Sequence, residues 1–373
     1  MDYATPEGTE TYQSIKNIEP FHFRKSEYSA NLTLSSLGIG TYLGNIDRKT
    51  DLLVKEAIKT SLLSGGVNVI DTAINYRYQK AERSIGESLN ELFSQKLIKR
   101  DQIFVSTKNG YVPGDADKKL DPKTYLQHLL ANSEIDKQSF VDKSHSIHPS
   151  FLEYQLNQSL KNLQLKTIDL LYLHNSAEAQ IPRLGIKDYI NRLHSTFSFL
   201  EDKRNEHKLR FYGLATWNCF RVPPSNKNEF LNLEDVVKLA EEVAGKNHGF
   251  KFIQLPINLL MNESFTKQWQ NLNNEKVSLL ETTDKLNIGV FGSVPLLQTR
   301  LFQGKVPNFA GLSTKSQKLL QFVRSIPHDS IIAPLVGQKT PEHVNENLEI
   351  MFEPPVDPES FNSFLVDLPI RKM

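Results

Sequence analysis

The chain has 373 residues, more than a typical single domain, but α/β barrels commonly reach this size as one unit, so length does not demand two cores. Lysine and arginine total 44 against 43 aspartate and glutamate, which leaves no net field to favour nucleic acid or an anionic membrane. The single cysteine, Cys219, excludes an intramolecular disulfide and any multi-cysteine metal site, and it fits a reducing compartment. The opening MDYATPEGTETYQSIKNIEP is acidic and polar where a signal peptide needs a basic start and an apolar core. No apolar run approaches the roughly 20 residues needed to span a bilayer. The expectation is a cytoplasmic protein with neither membrane nor nucleic acid as partner.

In chain order, residues 1–33 read as an extension. Within and just beyond it, FHFRKSEYSANLTLSS at 21–36 holds two alternating polar and apolar runs around a small polar turn, a hairpin pattern suited to the bottom of a barrel. From residue 37, strand-like and helix-like stretches alternate. LGIGTYL at 37–43 is followed by a helical pattern at 50–64, VNVID at 67–71 by one at 81–95, and QIFVSTK at 102–108 by one at 149–163. TIDLLYLH at 167–174 leads to 187–203, LRFYGLAT at 209–216 to 233–244, and FKFIQLPIN at 250–258 to 275–286. NIGVFGSV at 287–294 leads to 315–325 and SIIAPLVG at 330–337 to 341–351, before a tail at 353–373. The strand candidates are short, apolar and β-branched, as strands buried on both faces of a parallel sheet should be. Eight such units predict an α/β protein closed as a (β/α)8 TIM barrel over 34–352, in preference to an open doubly wound sheet. The charged stretch 111–148 interrupts the third unit on the rim where strands end, and a loop this long is usually a functional lid, a subdomain or disordered. This insertion and the tail are expected to help wall a pocket.

Three successive strands release polar residues at that rim: Asp71 and Tyr76 in VNVIDTAINYR, Lys108 in IFVSTKNG and His174 in IDLLYLHN. Taken singly, each has a plain reading: Asp71 as a cap, Lys108 as a solvated lysine, Tyr76 as an amphipathic rim residue, His174 as a satisfied core histidine. Their joint placement at strand ends favours function, because catalytic residues of such barrels gather there. Carbonyl reduction needs a proton donor, a polarised carbonyl and a hydride source. A tyrosine beside an ammonium has its pKa drawn toward neutrality, so Lys108, aimed by Asp71, is expected to tune Tyr76 while a neutral His174 orients the oxygen. Metal ligation is not expected, since of ten histidines only His174 stands at a strand end.

The segments GTYLG at 40–44, DTAINY at 71–76, STKNG at 106–110, LYLHN at 171–175 and GQKTPEHVNEN at 337–347 resemble those of the aldo-keto reductases, in that family's order. The resemblance covers roughly 34–352 and implies a catalytic set of Asp71, Tyr76, Lys108 and His174, with tyrosine as general acid. It also implies a nicotinamide cofactor, NADPH preferred and NADH possible, and a small-molecule carbonyl substrate. Cofactor contacts carried over residue by residue are Gly40, Thr41, Asp71, Gln254, Leu296, Gln338, Glu346 and Asn347, with Lys339 as the charge for a 2′-phosphate. The sequence departs from the family where serine and asparagine are common after strand five, since it has Ala215 and Thr216, leaving Thr216 or Asn218 to substitute. Ser293 stands where an aromatic often stacks on the nicotinamide. Gly38, Gly40 and Gly44 are spaced GxGxxxG and read as close-packing and turn glycines rather than a dinucleotide fingerprint. Thr340 followed by Pro341 also reads as an N-cap with proline at the first helical position. Arg77 replaces a small residue and reads as a surface charge, with a contact to an anionic substrate as the other possibility. The alternative function is a cofactor-binding regulatory protein with little turnover.

Overall fold

A computed structural model describes residues 1–13, 18–25, 27–132, 135, 139–141 and 143–367. Eight parallel strands close on themselves: Gly38–Gly40 (β1), Val69–Asp71 (β2), Phe104–Asn109 (β3), Ile168–His174 (β4), Leu209–Ala215 (β5), Phe250–Pro256 (β6), Gly289–Ser293 (β7) and Ile331–Gly337 (β8). β8 pairs with both β7 and β1, completing the barrel. The outer ring consists of Arg48–Leu63 (α1), Lys80–Ser94 (α2), Pro149–Leu163 (α3), Ile186–Asn205 (α4), Leu233–Ala244 (α5), Leu279–Leu286 (α6), Lys315–Arg324 (α7) and Pro341–Leu348 (α8).

Side chains alternate across each strand, and here the two faces have different partners. Ile70, Val105, Leu171, Leu214, Ile253 and Val290 face outward into the large core shared with the helices. Val69, Phe104, Leu170, Phe211, Phe252 and Phe291 face inward and fill the barrel. Two residues further along the inward rows come Asp71, Ser106, Tyr172, Gly213, Gln254 and Ser293, and two further still Lys108, His174 and Ala215. The upper end of the barrel is therefore polar because the strands outrun their apolar filling. Gly38 belongs to the inward row at a point of close packing, where a Cβ would sit 2.6 Å from Leu335 Cδ2 and 3.1 Å from Val69 Cγ1.

The expected hairpin pairs Phe23–Lys25 with Thr33–Ser35 and closes the lower end. Leu32 and Leu34 are fully buried there, joined by Ala4, whose N–H donates to Asp169 Oδ1 at 2.7 Å. Asn68 locks the hairpin to β2: its Oδ1 accepts from Ser35 N at 2.9 Å and its Nδ2 donates to the Thr33 carbonyl at 2.9 Å.

Two expectations need correction. The helix read over 275–286 is a strand, Glu275–Val277, paired with Gln270–Leu272, and only then a helix. Asn273 and Asn274 both adopt left-handed φ (50° and 69°), which makes the two-residue turn, and Ser278 with Glu281 forms a capping box that starts α6. The described part of the tail, through Asp367, does not line the cavity: Phe361 is buried against Phe322 and Phe309, and Phe364 also packs on Phe309, in a cluster beside α7. Sequence reading passed over the helices Pro6–Gln13, Pro122–Ala131 and Ser176–Leu184.

Leu34→Ala should cost about 2–5 kcal/mol, because a fully buried plug cannot collapse onto the rigid lower layer. Urea denaturation reads this loss.

Candidate active site

Tyr76, Asp71 and His174 line one cavity of about 380 Å³ at the upper end of the barrel, and Lys108 lies directly beneath it. Asp71 Oδ2 accepts from Lys108 Nζ at 2.5 Å, while Oδ1 accepts from Ser106 Oγ at 2.8 Å and Gln254 Nε2 at 3.0 Å. Lys108 Nζ also donates to the Thr72 carbonyl at 2.8 Å and stands 4.9 Å from the centre of the Tyr76 ring. His174 meets that ring edge-on at 5.9 Å, and Tyr42 meets it from the other side at 5.0 Å.

Burial dominates the protonation states. It pushes the Tyr76 phenol well above the usual tyrosine range, reinforced by the Asp71 carboxylate and by Tyr42. The expectation that Lys108 draws this pKa down is therefore not met, because removing a phenolate from water outweighs the attraction of an ammonium already neutralised by Asp71. Burial likewise draws Lys108 below its ordinary value, with Asp71 opposing, and holds His174 well below 6.5, with Lys108 adding to the effect. At neutral pH the site presents a protonated phenol and a neutral imidazole.

Tyr76 sits on an unusual turn. The three residues after it, Arg77, Tyr78 and Gln79, take left-handed φ of 50°, 54° and 70°, each at a cost of roughly 1–2 kcal/mol for a residue with a Cβ. Arg77 is not a surface charge. Its side chain is 1% exposed, its Nη2 pairs with Asp51, and its Nε donates to the Asn45 carbonyl at 2.9 Å. Gly44, in the same loop, has φ 139°, and a Cβ there would meet Thr50 Cγ2 at 2.6 Å.

Of the other residues singled out, Gly40, Thr41, Thr216, Gln254, Ser293 and Leu296 line the cavity with the catalytic candidates. Thr41 Oγ1 donates to the Asp71 carbonyl at 3.1 Å. Asn218, Gln338, Lys339, Glu346 and Asn347 lie outside its wall. Asn218 Nδ2 donates to Glu229 at 3.2 Å. Gln338 donates to Ser61 Oγ and accepts from Asn347 Nδ2, both at 2.9 Å, and Asn347 Oδ1 accepts from Ser316 Oγ at 2.6 Å. Lys339 Nζ reaches the Leu43 carbonyl at 3.4 Å, and the Glu346 carbonyl accepts from Gln317 Nε2 at 2.9 Å. Thr340 caps α8 with Pro341 in the first turn, as its sequence foretells.

Four residues escaped the sequence reading. Tyr42 and Tyr111 line the cavity. His145, from the insertion, donates from Nε2 to the His174 carbonyl at 2.8 Å, receives Gln180 Nε2 on Nδ1 at 3.2 Å, and lies edge-on to Tyr111 at 4.9 Å. Glu178 Oε1 accepts three successive backbone N–H groups, those of Trp217, Asn218 and Cys219, at 2.8, 2.7 and 3.0 Å, fixing the loop after β5. The GTYLG segment was the one available signal for Tyr42. A backbone nest filled by a distant glutamate leaves none. Among the described residues, no three His, Cys, Asp or Glu side chains gather as a metal site, and no helix is long and apolar enough to cross a membrane.

A sequence profile described as the Aldo/keto reductase family matches residues 36–364, and the chain belongs to that family. It is 25% identical over 196 residues to an NADH-specific methylglyoxal reductase of Escherichia coli (strain K12), covering 50% of each chain. It is 31% identical over 147 residues to an aldo-keto reductase of Aspergillus calidoustus, covering 38% of this chain and 30% of that one. The matches thus span half or less of these relatives' own length. Among solved structures, an aldo/keto reductase from Klebsiella pneumoniae in complex with NADP and acetate has the same fold, with a TM-score of 0.61 and 18% identity over 93% of this chain and 95% of that one. An aldo-keto reductase from Bacillus halodurans, in its holo form, gives 0.56 and 17% over 90% and 93%.

Lys108→Met leaves Asp71 buried without its counter-charge and should cost about 3–5 kcal/mol, most of which returns in Asp71→Asn/Lys108→Met. Thermal unfolding of the two variants checks the pairing independently of any activity.

Proposed function

We propose that the protein is an oxidoreductase that reduces an aldehyde or ketone to an alcohol, with Tyr76 as the proton donor and Lys108, Asp71 and His174 in support. The observation that carries this reading is the convergence of a protonated phenol and a neutral imidazole on one cavity, above a buried ammonium–carboxylate pair. The nicotinamide cofactor would supply the hydride. Among the described residues, two buried polar atoms of the cavity lining, Asn75 Oδ1 and His174 Nδ1, have no partner, and such groups suit a carboxamide and a carbonyl that bring both donors and acceptors. NADPH is the preferred form. Lys339, outside the cavity wall, is the residue for its 2′-phosphate, and NADH remains usable because among the described residues no lysine or arginine lines the cavity itself.

The chain's own contribution is electrostatic and positional. Tyr76 gives its proton to the carbonyl oxygen as negative charge develops there, and the Lys108 ammonium 4.9 Å from the ring stabilises the phenolate left behind. Asp71, held by Lys108, Ser106 and Gln254, fixes the ammonium in place. The neutral His174 donates a hydrogen bond to the same oxygen without bringing a second positive charge next to Lys108. Among the described residues, Asp71 is the only Asp, Glu, Lys or Arg in the cavity lining, and Tyr42, Tyr111 and Trp217 provide apolar surface, which favours uncharged substrates. A reducing cytoplasmic setting suits the free, buried Cys219.

Tyr76→Phe should lower kcat by about 10²–10⁴ while NADPH binding, read by fluorescence titration, stays within about twofold. Wild-type turnover in that variant assigns the acid elsewhere, and tight NADPH binding without turnover in the wild type supports the regulatory alternative. Lys339→Ala should weaken NADPH and leave NADH unchanged in the same titration. The kcat for reduction should be level across neutral pH, because Tyr76 keeps its proton and His174 stays neutral. It should fall on the alkaline side below the usual lysine pKa of about 10.4, as the depressed Lys108 loses its proton before the phenol does. A pH profile with one aldehyde measures both limbs.

A further inference from the structure

The insertion after β3 reaches back over the turn that carries Tyr76. Its hook, residues 114–120, is closed by the pair Asp115 N to Leu120 O at 2.8 Å and Leu120 N to Asp115 O at 2.9 Å. Three contacts grip the turn. Ala116 N donates to the Tyr78 carbonyl at 3.1 Å, Gln79 Nε2 donates to the Gly114 carbonyl at 2.9 Å, and the Tyr78 ring lies so close to Gly114 that a Cβ there would stand 2.7 Å from it. Arg83, at the start of α2, holds the hook with a forked pair to Asp115, Nη1 to Oδ1 at 3.0 Å and Nη2 to Oδ2 at 3.1 Å. The Asp115 side chain is 3% exposed.

The pair ends a continuous ladder of alternating charge: Arg77, Asp51, Lys80, Asp117, Arg83, Asp115. Its cations stand on the turn and the first turns of α2, and its acids come from α1 and the insertion. The hook itself has a firm base, because Val112, Tyr125, Leu126 and Leu129 pack with Phe151 of α3 in a small core of their own. A left-handed run without glycine persists only where its surroundings over-determine it, and here the surroundings are two flanking elements fastened to the same helix start.

We propose that the hook at 114–120 is a clamp on the Tyr76 turn and that Asp115, through Arg83, is a positioning residue for the phenol. Released from the hook, Arg77, Tyr78 and Gln79 relax toward ordinary backbone, and the phenol leaves its place between Lys108 and His174. The hook then governs the rate of proton transfer, not merely the shape of the rim. The proposal rests on Tyr76 as the acid only for its catalytic consequence; the clamping of the turn is independent of it.

Asp115→Asn retains the acceptor for the hook's own Asp117 and Lys118 N–H groups, at 3.1 and 3.2 Å, but loses the ionic fork. Asp115→Ala loses both, and Arg83→Lys retains charge without the fork. The full-length variants are compared with NADPH and 4-nitrobenzaldehyde as probe, with kcat normalised to folded protein by near-ultraviolet circular dichroism. Amide hydrogen exchange is followed over 74–80. Expected are a roughly tenfold fall in kcat for Asp115→Ala with KM within about twofold, a smaller fall for Arg83→Lys, and at least tenfold faster exchange confined to the turn. Unchanged exchange overturns the clamp, and faster exchange with wild-type kcat overturns the positioning role. If Asp115→Ala does not fold, Asp115→Asn and Arg83→Lys decide on the same readouts. Should Tyr76→Phe prove fully active, the reading of the acid fails, and the clamp stands or falls on the exchange data alone.

Discussion

Closure of eight parallel strands imposes a two-residue rhythm on everything inside the barrel. Each strand must alternate between the helix layer and the interior, so every inward position is committed once its neighbour is packed outward. Phe104, Ser106 and Lys108 share one face of β3, while Val105 and Thr107 share the other. A slip of one residue would bury Thr107 in the barrel and send the ammonium into the helices. The register that packs the apolar filling is the same one that lifts Lys108 and His174 to the rim, so core stability and site geometry are a single constraint.

Within that frame the Lys108–Asp71 pair is held on several sides. Ser106 and Gln254 reach Asp71 from β3 and β6, and the Thr72 carbonyl accepts a further hydrogen bond from Lys108. Desolvation alone would neutralise such groups, and the surrounding bonds are what let an ammonium and a carboxylate persist in so dry a place. The same dryness keeps the phenol protonated and the imidazole neutral.

Legibility in the sequence followed the range of the forces. Asp71, Lys108 and His174 were readable because period-two burial is local and each sits at the end of an apolar run. Tyr76 was readable, but its turn was not: Arg77, Tyr78 and Gln79 carry no local preference for left-handed backbone, which here follows from contacts with Asp51, Asn45, Gly114 and Ala116. Arg77 was misplaced for the same reason, since its counter-ion lies 26 residues away. Asn273–Asn274 and the Ser278–Glu281 box were legible punctuation, but a helical period read from residue 275 passed over the first and ran across the second. Gln338 and Asn347 matched a motif in sequence, yet their amides are bound to each other and to Ser61 and Ser316, a pairing visible only once β8 and α8 are assembled.

The lower end of the barrel has a bearing on traffic through the upper one. With Ala4, Leu32 and Leu34 seated beneath the aromatic layer of Phe104, Phe252 and Phe291, the well is blind from below. Access to the cavity is thereby confined to the rim, by a plug of three apolar side chains that are not part of its lining.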